Sequence, residues 1–180
     1  MTTKRSNYQL FNKVIENSVA DVWDLAVREW EIVDCEESEE VDAVCVCGKE
    51  HIRYMFTIRN TVNGNTLVPI GSSCIRKFQQ PELSSLVDVY ERLFKLLDEY
   101  SKNNFVPFNS KLFSRKLLLF LFDQGCFEPN EYNNWDPAND YKFLLDQFNA
   151  RKDPSDKQKR KISALMCNAV IPYLKKKLHK

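Results

Sequence analysis

Three cysteines bracket a predicted β-hairpin between Cys45 and Phe78, and no other stretch restricts the fold so tightly. The run opens with Cys45-Val46-Cys47-Gly48 and His51 and continues into an extended segment, Ile52 to Arg59. Asn60-Thr61-Val62-Asn63-Gly64-Asn65 then turns the chain, a second extended segment runs from Thr66 to Ile70, and Gly71-Ser72-Ser73-Cys74 leads into Ile75-Arg76-Lys77-Phe78. Asn-Gly between two extended segments is a strong hairpin signal, because both residues tolerate the positive φ that the tight turn needs. Gly48 can supply the same freedom at a turn that points two sulfurs at one ion.

Zinc takes four tetrahedral ligands, mostly cysteine thiolates and histidine nitrogens. Cys45 and Cys47 on the turn, and Cys74 where a helix is expected to begin, supply three. A helix start carries partial positive charge, which favours a thiolate. His51, four residues after Cys47, is the best candidate for the fourth ligand, with Cys35 in reserve. As a competing reading, the three cysteines are small core residues, since buried cysteine behaves as a small hydrophobe. A catalytic zinc would need an open coordination position beside a general base. No H-E-x-x-H or H-x-E…P-C-x-x-C pattern is present, so the expected role of the zinc is structural.

Turn, hairpin and ligand-bearing helix in this order look like a treble-clef zinc module. It departs from that pattern in having C-x-C in place of C-x-x-C, and Lys77 or Phe78 where a helical fourth ligand would stand. The motif C-x-C-G, an extended I/F-x-I-x-N strand, then P-I-G-S-x-C-I-x-K-F resembles small zinc-hairpin proteins of bacteriophages, plasmids and related mobile elements. The resemblance spans about Trp30 to Phe78 and implies a metal-bound fold rather than an activity. A weaker match, Ser155-Asp156-Lys157-Gln158 with Ile162 and Leu165, resembles helix starts of some DNA-processing proteins.

The length of 180 residues fits one domain or a small module with a helical companion. At 43% hydrophobic residues the chain can bury a core without disulfide staples. No apolar run reaches 18 residues, so no membrane span is expected. Met1 to Leu10 lacks a signal-peptide core, so a cytoplasmic chain is expected, with its six cysteines as thiols or ligands.

The net charge of +1 hides segregation. Residues 1–50 carry 5 Lys/Arg against 12 Asp/Glu, residues 51–80 carry 4 against none, and residues 151–180 carry 10 against 2. The acidic run Asp34 to Asp42 reads as a solvated loop, with a nucleic-acid mimic or a metal-stabilising carboxylate as sharper readings.

The expected fold class is α+β, mainly α, with a zinc-bound hairpin packed among about five helices. Residues 1–100 hold an N-terminal helix, the hairpin and the following helix; residues 110–180 form a C-terminal helical region of the same or a second domain. Residues 1–8 are expected to be loose. An amphipathic helix is expected over Ser18 to Glu29 with Ser18 as its N-cap. A strong apolar stripe marks a helix from Pro81 to about Tyr100, and Ser101 to Asn109 reads as a linker. Leu112 to Phe122 reads as a buried helix. Asp136-Pro137 and Asp153-Pro154 each mark a helix start, with an interruption at Pro172.

Two functional readings follow, neither enzymatic. The two histidines, His51 and His179, leave little room for a nucleophile–histidine pair, and four glycines make no phosphate-cradling loop. The first reading is DNA or RNA binding through Arg53, Arg59, Arg76 and Lys77 on the hairpin, and Lys157, Lys159, Arg160, Lys161, Lys175, Lys176 and Lys177 near the C-terminus. The second is a protein-interaction factor of a mobile element that inhibits a host replication or defence enzyme in the manner of an anti-CRISPR. Its acidic N-terminal half would face a basic nucleic-acid channel.

Overall fold

The computed structural model describes the backbone of residues 2–178 and the side chains of 6–178; His179 and Lys180 lie outside the described residues. The fold is mainly helical with one small antiparallel sheet, an α+β arrangement. The chain divides into two compact units, Met1–Tyr90 and Glu91–Lys180, with the boundary inside one long helix. No described helix is long and apolar enough to cross a membrane.

The first unit opens with α1 (Thr2–Glu16), over residues expected to be loose. Leu10 and Val14, one turn apart, are its fully buried positions, while Tyr8 and Phe11 stay exposed. Ser18 ends this helix rather than starting the next. Its Oγ donates to the Val14 carbonyl at 2.8 Å and accepts from Trp30 Nε1 at 3.0 Å. The helix expected over Ser18 to Glu29 shrinks to α2 (Trp23–Ala26) and a single 3-10 turn at Val27–Glu29. Val19, Val22 and Leu25 remain exposed, so no continuous apolar face was available to extend α2.

The sheet has strand order β1 (Trp30–Glu37), β2 (Tyr54–Asn60) and β3 (Thr66–Ile70). Half of the acidic run is therefore strand rather than solvated loop. Strand pairing explains this: past an irregularity between Ile32 and Asp34, Cys35 is buried opposite Phe56, and Glu31 and Glu37 pair across the ladder with Arg59 and Tyr54. Phe56, Ile58 and Ile70 form the buried face of the sheet, and Phe56 meets Tyr90 edge-to-face at 6.0 Å. The β2–β3 turn contains Gly64 at φ +79°, as the Asn63-Gly64 signal predicts. After β3 come α3 (Ser72–Ile75), a 3-10 turn at Arg76–Phe78 and α4 (Pro81–Asn103), which starts at the expected proline.

In the second unit α5 (Arg115–Asp123) is capped by Ser114, whose Oγ accepts from the Leu117 amide at 3.1 Å. It buries Leu117, Leu118 and Leu121. α6 (Pro137–Asn149) follows Asp136 as its N-cap, as expected. α7 (Asp156–Leu165) is capped not by Asp153 but by Ser155, because Ser155 and Gln158 exchange side chain–backbone bonds in a capping box. The Ser155 to Gln158 motif has that local explanation. Pro172 does not stop the helix. The chain widens into a π-turn at Met166–Val170 and continues as α8 (Ile171–Lys177), accommodating the missing proline N–H.

Candidate metal centre

Backbone geometry brings the three cysteines of the hairpin stretch together. The Gly48 amide donates to the Cys45 carbonyl at 2.7 Å, closing a tight turn in which Gly48 takes φ +77°. The Val46 amide donates to the Pro69 carbonyl at 2.9 Å and ties this turn to the end of β3. Cys74 sits in α3, whose first turn is closed by its amide donating to the Gly71 carbonyl at 2.9 Å. Cys45, Cys47 and Cys74 are 3%, 1% and 1% exposed.

The Sγ atoms of Cys45 and Cys74 lie 3.7 Å apart, those of Cys74 and Cys47 3.3 Å apart, and all three fall within 4.8 Å of one another. These separations are far too long for a disulfide. They are close to the edge of about 3.8 Å that a tetrahedral site with metal–sulfur bonds of about 2.3 Å requires. The cluster could hold a metal ion.

Its electrostatics point the same way. The hydrogen bond with Cys74, helped by the Cys47 and Gly71 amides, pulls the Cys45 thiol down to about 5 against the opposing effect of burial. The same hydrogen bond, then burial and the charge of its neighbours, pushes Cys74 far up. A thiolate forms readily at Cys45, whereas Cys74 holds its proton unless a cation balances the charge.

His51 is not part of this group. Its backbone is left-handed at φ +59°, its ring is exposed, and its Nδ1 lies 3.2 Å from the Val41 carbonyl. Cys35 is fully buried in β1 and also stands apart, its Sγ 3.8 Å from the Glu36 carbonyl. The group among the described residues is therefore three cysteines. A residue missed in the sequence does approach it: Ser6 Oγ of α1 donates to Cys47 Sγ at 3.1 Å. Nothing in the polar composition of the first eight residues marks that contact. Gln9 on the same helix covers the turn, and a Cβ on Gly48 would stand 2.7 Å from its Oε1.

The basic residues of the hairpin stretch are engaged within the unit. Arg53 Nε pairs with Glu37 at 2.7 Å, Arg59 with Glu31 at 2.6 Å and Arg76 with Asp88 at 2.6 Å. Lys77 Nζ donates to Asn7 Oδ1 at 2.6 Å. In the second unit Lys161 reaches the buried Asp140 at 3.0 Å, Lys159 lies 3.8 Å from Asp156, and Lys175 stands over the Tyr100 ring at 5.5 Å. Lys157, Lys159, Arg160, Lys175 and Lys176 are exposed, and Lys177 is half-buried.

Comparison with known proteins gives no match to a family model, a curated protein or a solved structure.

Proposed function

We propose that this chain is a non-enzymatic binding protein whose N-terminal unit is held together by one zinc ion on Cys45, Cys47 and Cys74. The convergence of three buried sulfurs within 4.8 Å carries the reading. Thiolate-rich sets favour soft or borderline ions, and zinc is the commonest structural choice. Turn, hairpin and short ligand-bearing helix support a treble-clef-like site, in keeping with the mobile-element motif. Burial of all three sulfurs favours a structural over a catalytic role, since a substrate would have no route to the ion. When bound, the ion would balance thiolate charge and cross-link α3 to the turn before β2.

The binding target we propose is nucleic acid, approached by the second unit rather than the hairpin. Exposed Lys157, Lys159 and Arg160 on α7, with Lys175 and Lys176 on α8, supply cations for phosphates. The hairpin arginines contribute less, because Glu31, Glu37 and Asp88 already balance them.

Elemental analysis of the purified protein tests the metal: one zinc per chain, lost in Cys45→Ser and Cys74→Ser, is expected, and a metal-free folded protein overturns it. Salt-dependent retention on a DNA column tests the target. Lys157→Glu with Arg160→Glu is expected to elute at clearly lower salt than the parent, and unchanged elution overturns the assignment. The second reading, a mobile-element factor acting on a host defence or replication enzyme, draws on the exposed Val19, Val22 and Leu25 beside Asp21 and Asp24. Absence of DNA retention together with stoichiometric co-purification of such an enzyme would favour it.

A further inference from the structure

Between α5 and α6 the second unit carries a loop braced by hydrogen bonds of Asn130 and Asn133. Asn130 Oδ1 accepts from the Tyr132 and Asn133 amides at 2.9 and 3.2 Å, and the Trp135 amide donates to the Asn130 carbonyl at 2.8 Å. Asn133, 1% exposed, donates from Nδ2 to the Glu128 carbonyl and to Asp140 Oδ2, both at 2.8 Å. Asp140, 3% exposed, is held in turn by Lys161 of α7. Together these bonds and the Lys161–Asp140 ion pair hold the loop in one conformation.

This rigid base presents two aromatic rings to solvent. Tyr132 is 83% exposed and Trp135 is 72% exposed. The backbone is left-handed at two consecutive residues, Asn134 at φ +55° and Trp135 at φ +61°. Asparagine accepts that conformation readily; for a tryptophan it is a genuine outlier with an energetic cost. Folding therefore gains nothing evident from Trp135, whose ring is left out of the core on a strained backbone. Large aromatics held rigidly and in the open are the residues that anchor binding interfaces.

The surrounding charge selects the occupant. From Leu117 to Tyr141 the sequence has no Lys or Arg and five acidic residues. Glu128, Glu131 and Asp136 among them are exposed, and Glu131 and Asp136 adjoin Tyr132 and Trp135 in the chain. Lys161, the cation that reaches this loop, is committed to Asp140 and lies over the Phe143 ring at 4.8 Å. An aromatic face carries negative quadrupole density, so rings and carboxylates together attract a cation. Phosphates would meet repulsion here. A guanidinium fits better than an ammonium because it stacks flat on a ring while pairing with a carboxylate in its plane.

We propose that Tyr132 and Trp135 form a docking surface for an arginine-bearing peptide segment of a protein partner, separate from the metal centre and from the basic face of α7.

The test uses the full-length protein and a fluorescently labelled peptide of alternating Arg and Gly, read by anisotropy. Peptides with Lys or Ser in place of Arg serve as comparisons. Saturable binding is expected, with Arg bound better than Lys and Ser not bound. Trp135→Asn should weaken it at least tenfold and Glu131→Gln severalfold. Asparagine suits the left-handed backbone, so the Trp135→Asn variant should melt at or above the parent's temperature, which separates lost contact from lost fold. Equal binding by parent and Trp135→Asn would overturn the proposal, because the peptide would then be held by acidic surface elsewhere. Tighter, Trp135-dependent binding of single-stranded oligo-dT would also overturn it and reassign the rings to base stacking.

Discussion

Glu31 and Arg59 are direct partners across β1 and β2, and Arg59 Nη2 donates to Glu31 Oε1 at 2.6 Å. At the other end of the ladder Arg53, just before β2, pairs with Glu37 at 2.7 Å. The acidic segment before residue 50 and the basic segment after it thus become neighbours in the sheet. Both pairs are partly exposed, and such pairs contribute at most about 1 kcal/mol each. Arg53→Ala with Arg59→Ala is expected to lower stability by at most about 2 kcal/mol and to change the elution salt from a DNA column little. Urea denaturation and the column measure the two effects separately. A large drop in retention would mean that the arginines bind phosphate despite their partners.

A second polar cluster joins the segment after α1, the 3-10 turn before β1 and the hairpin turn, and it is centred on Asn60 and Glu29. Asn60, fully buried, donates from Nδ2 to Glu29 Oε2 at 2.6 Å and accepts at Oδ1 from the Val62 and Asn63 amides. Glu29 also accepts from the Val19 and Ala20 amides. Truncating Asn60 to Ala strands several of these groups and should cost about 2–4 kcal/mol in urea denaturation.

The Asn60 bond, with the Val19 and Ala20 amides, holds the Glu29 carboxyl below its ordinary 4.5. A depressed carboxylate contributes stability above its unfolded pKa and loses it as pH falls through the folded value. The stability difference between parent and Glu29→Gln should therefore be full at pH 7 and shrink below about pH 4.5. A difference that does not change down to pH 2.5 would contradict this.

Local signals in the sequence were reliable where the chemistry was local. Asn63-Gly64 marked its turn, Pro81 opened α4, and Asp136-Pro137 opened α6, because each depends on residues within one turn of the position. The close approach of Cys45, Cys47 and Cys74 was also legible, since the hairpin fixes the return of the chain. Long-range partners decided what was misread. Asp34 to Glu37 reads as solvated acid until the strand Tyr54 to Thr57, about 20 residues later, is placed opposite it and Arg53 pairs with Glu37. The first turns of α1 carry no apolar stripe, and contacts such as Ser6 with Cys47 and Asn7 with Lys77 lie 41 and 70 residues apart. Ser18 has the residue type of an N-cap, yet the carbonyl of Val14 and the indole of Trp30 claim its hydroxyl from both sides.

The position of His51 separates ligand from bystander. With its ring exposed and its Nδ1 directed at the Val41 carbonyl, it stands outside the sulfur cluster. His51→Ala is expected to keep its zinc by elemental analysis and to melt within a few degrees of the parent. With the proposed zinc on the three cysteines, Cys47→Ser should lose the metal and unfold the N-terminal unit, because such ligands would organise the turn and α3 together. Zinc loss in His51→Ala would show that the ring swings over to complete the site.

In the second unit, Tyr173 keeps a hydroxyl that costs stability. Its Oη is shut away from solvent and finds no hydrogen-bond partner among the described residues. Burial, then the neighbouring Cys126, pushes the phenol up to about 12, and burial alone pushes Cys126 to about 12. Removing an unsatisfied buried hydroxyl while keeping the ring is neutral to stabilising, so Tyr173→Phe should gain between zero and about 1 kcal/mol at pH 7. The alkaline behaviour follows from linkage. The unfolded chain releases these protons near 9 and 10, whereas the folded chain holds them to about 12. Stability is full below pH 9 and falls as pH rises from there toward 12. Tyr173→Phe should remove the part of that fall that begins near pH 10 and leave the earlier part, due to Cys126, in place. Urea midpoints of parent and variant at pH 7, 9.5 and 11 measure this. A gap between them that stays constant across the three would show that the phenol titrates alike in the folded and unfolded chains.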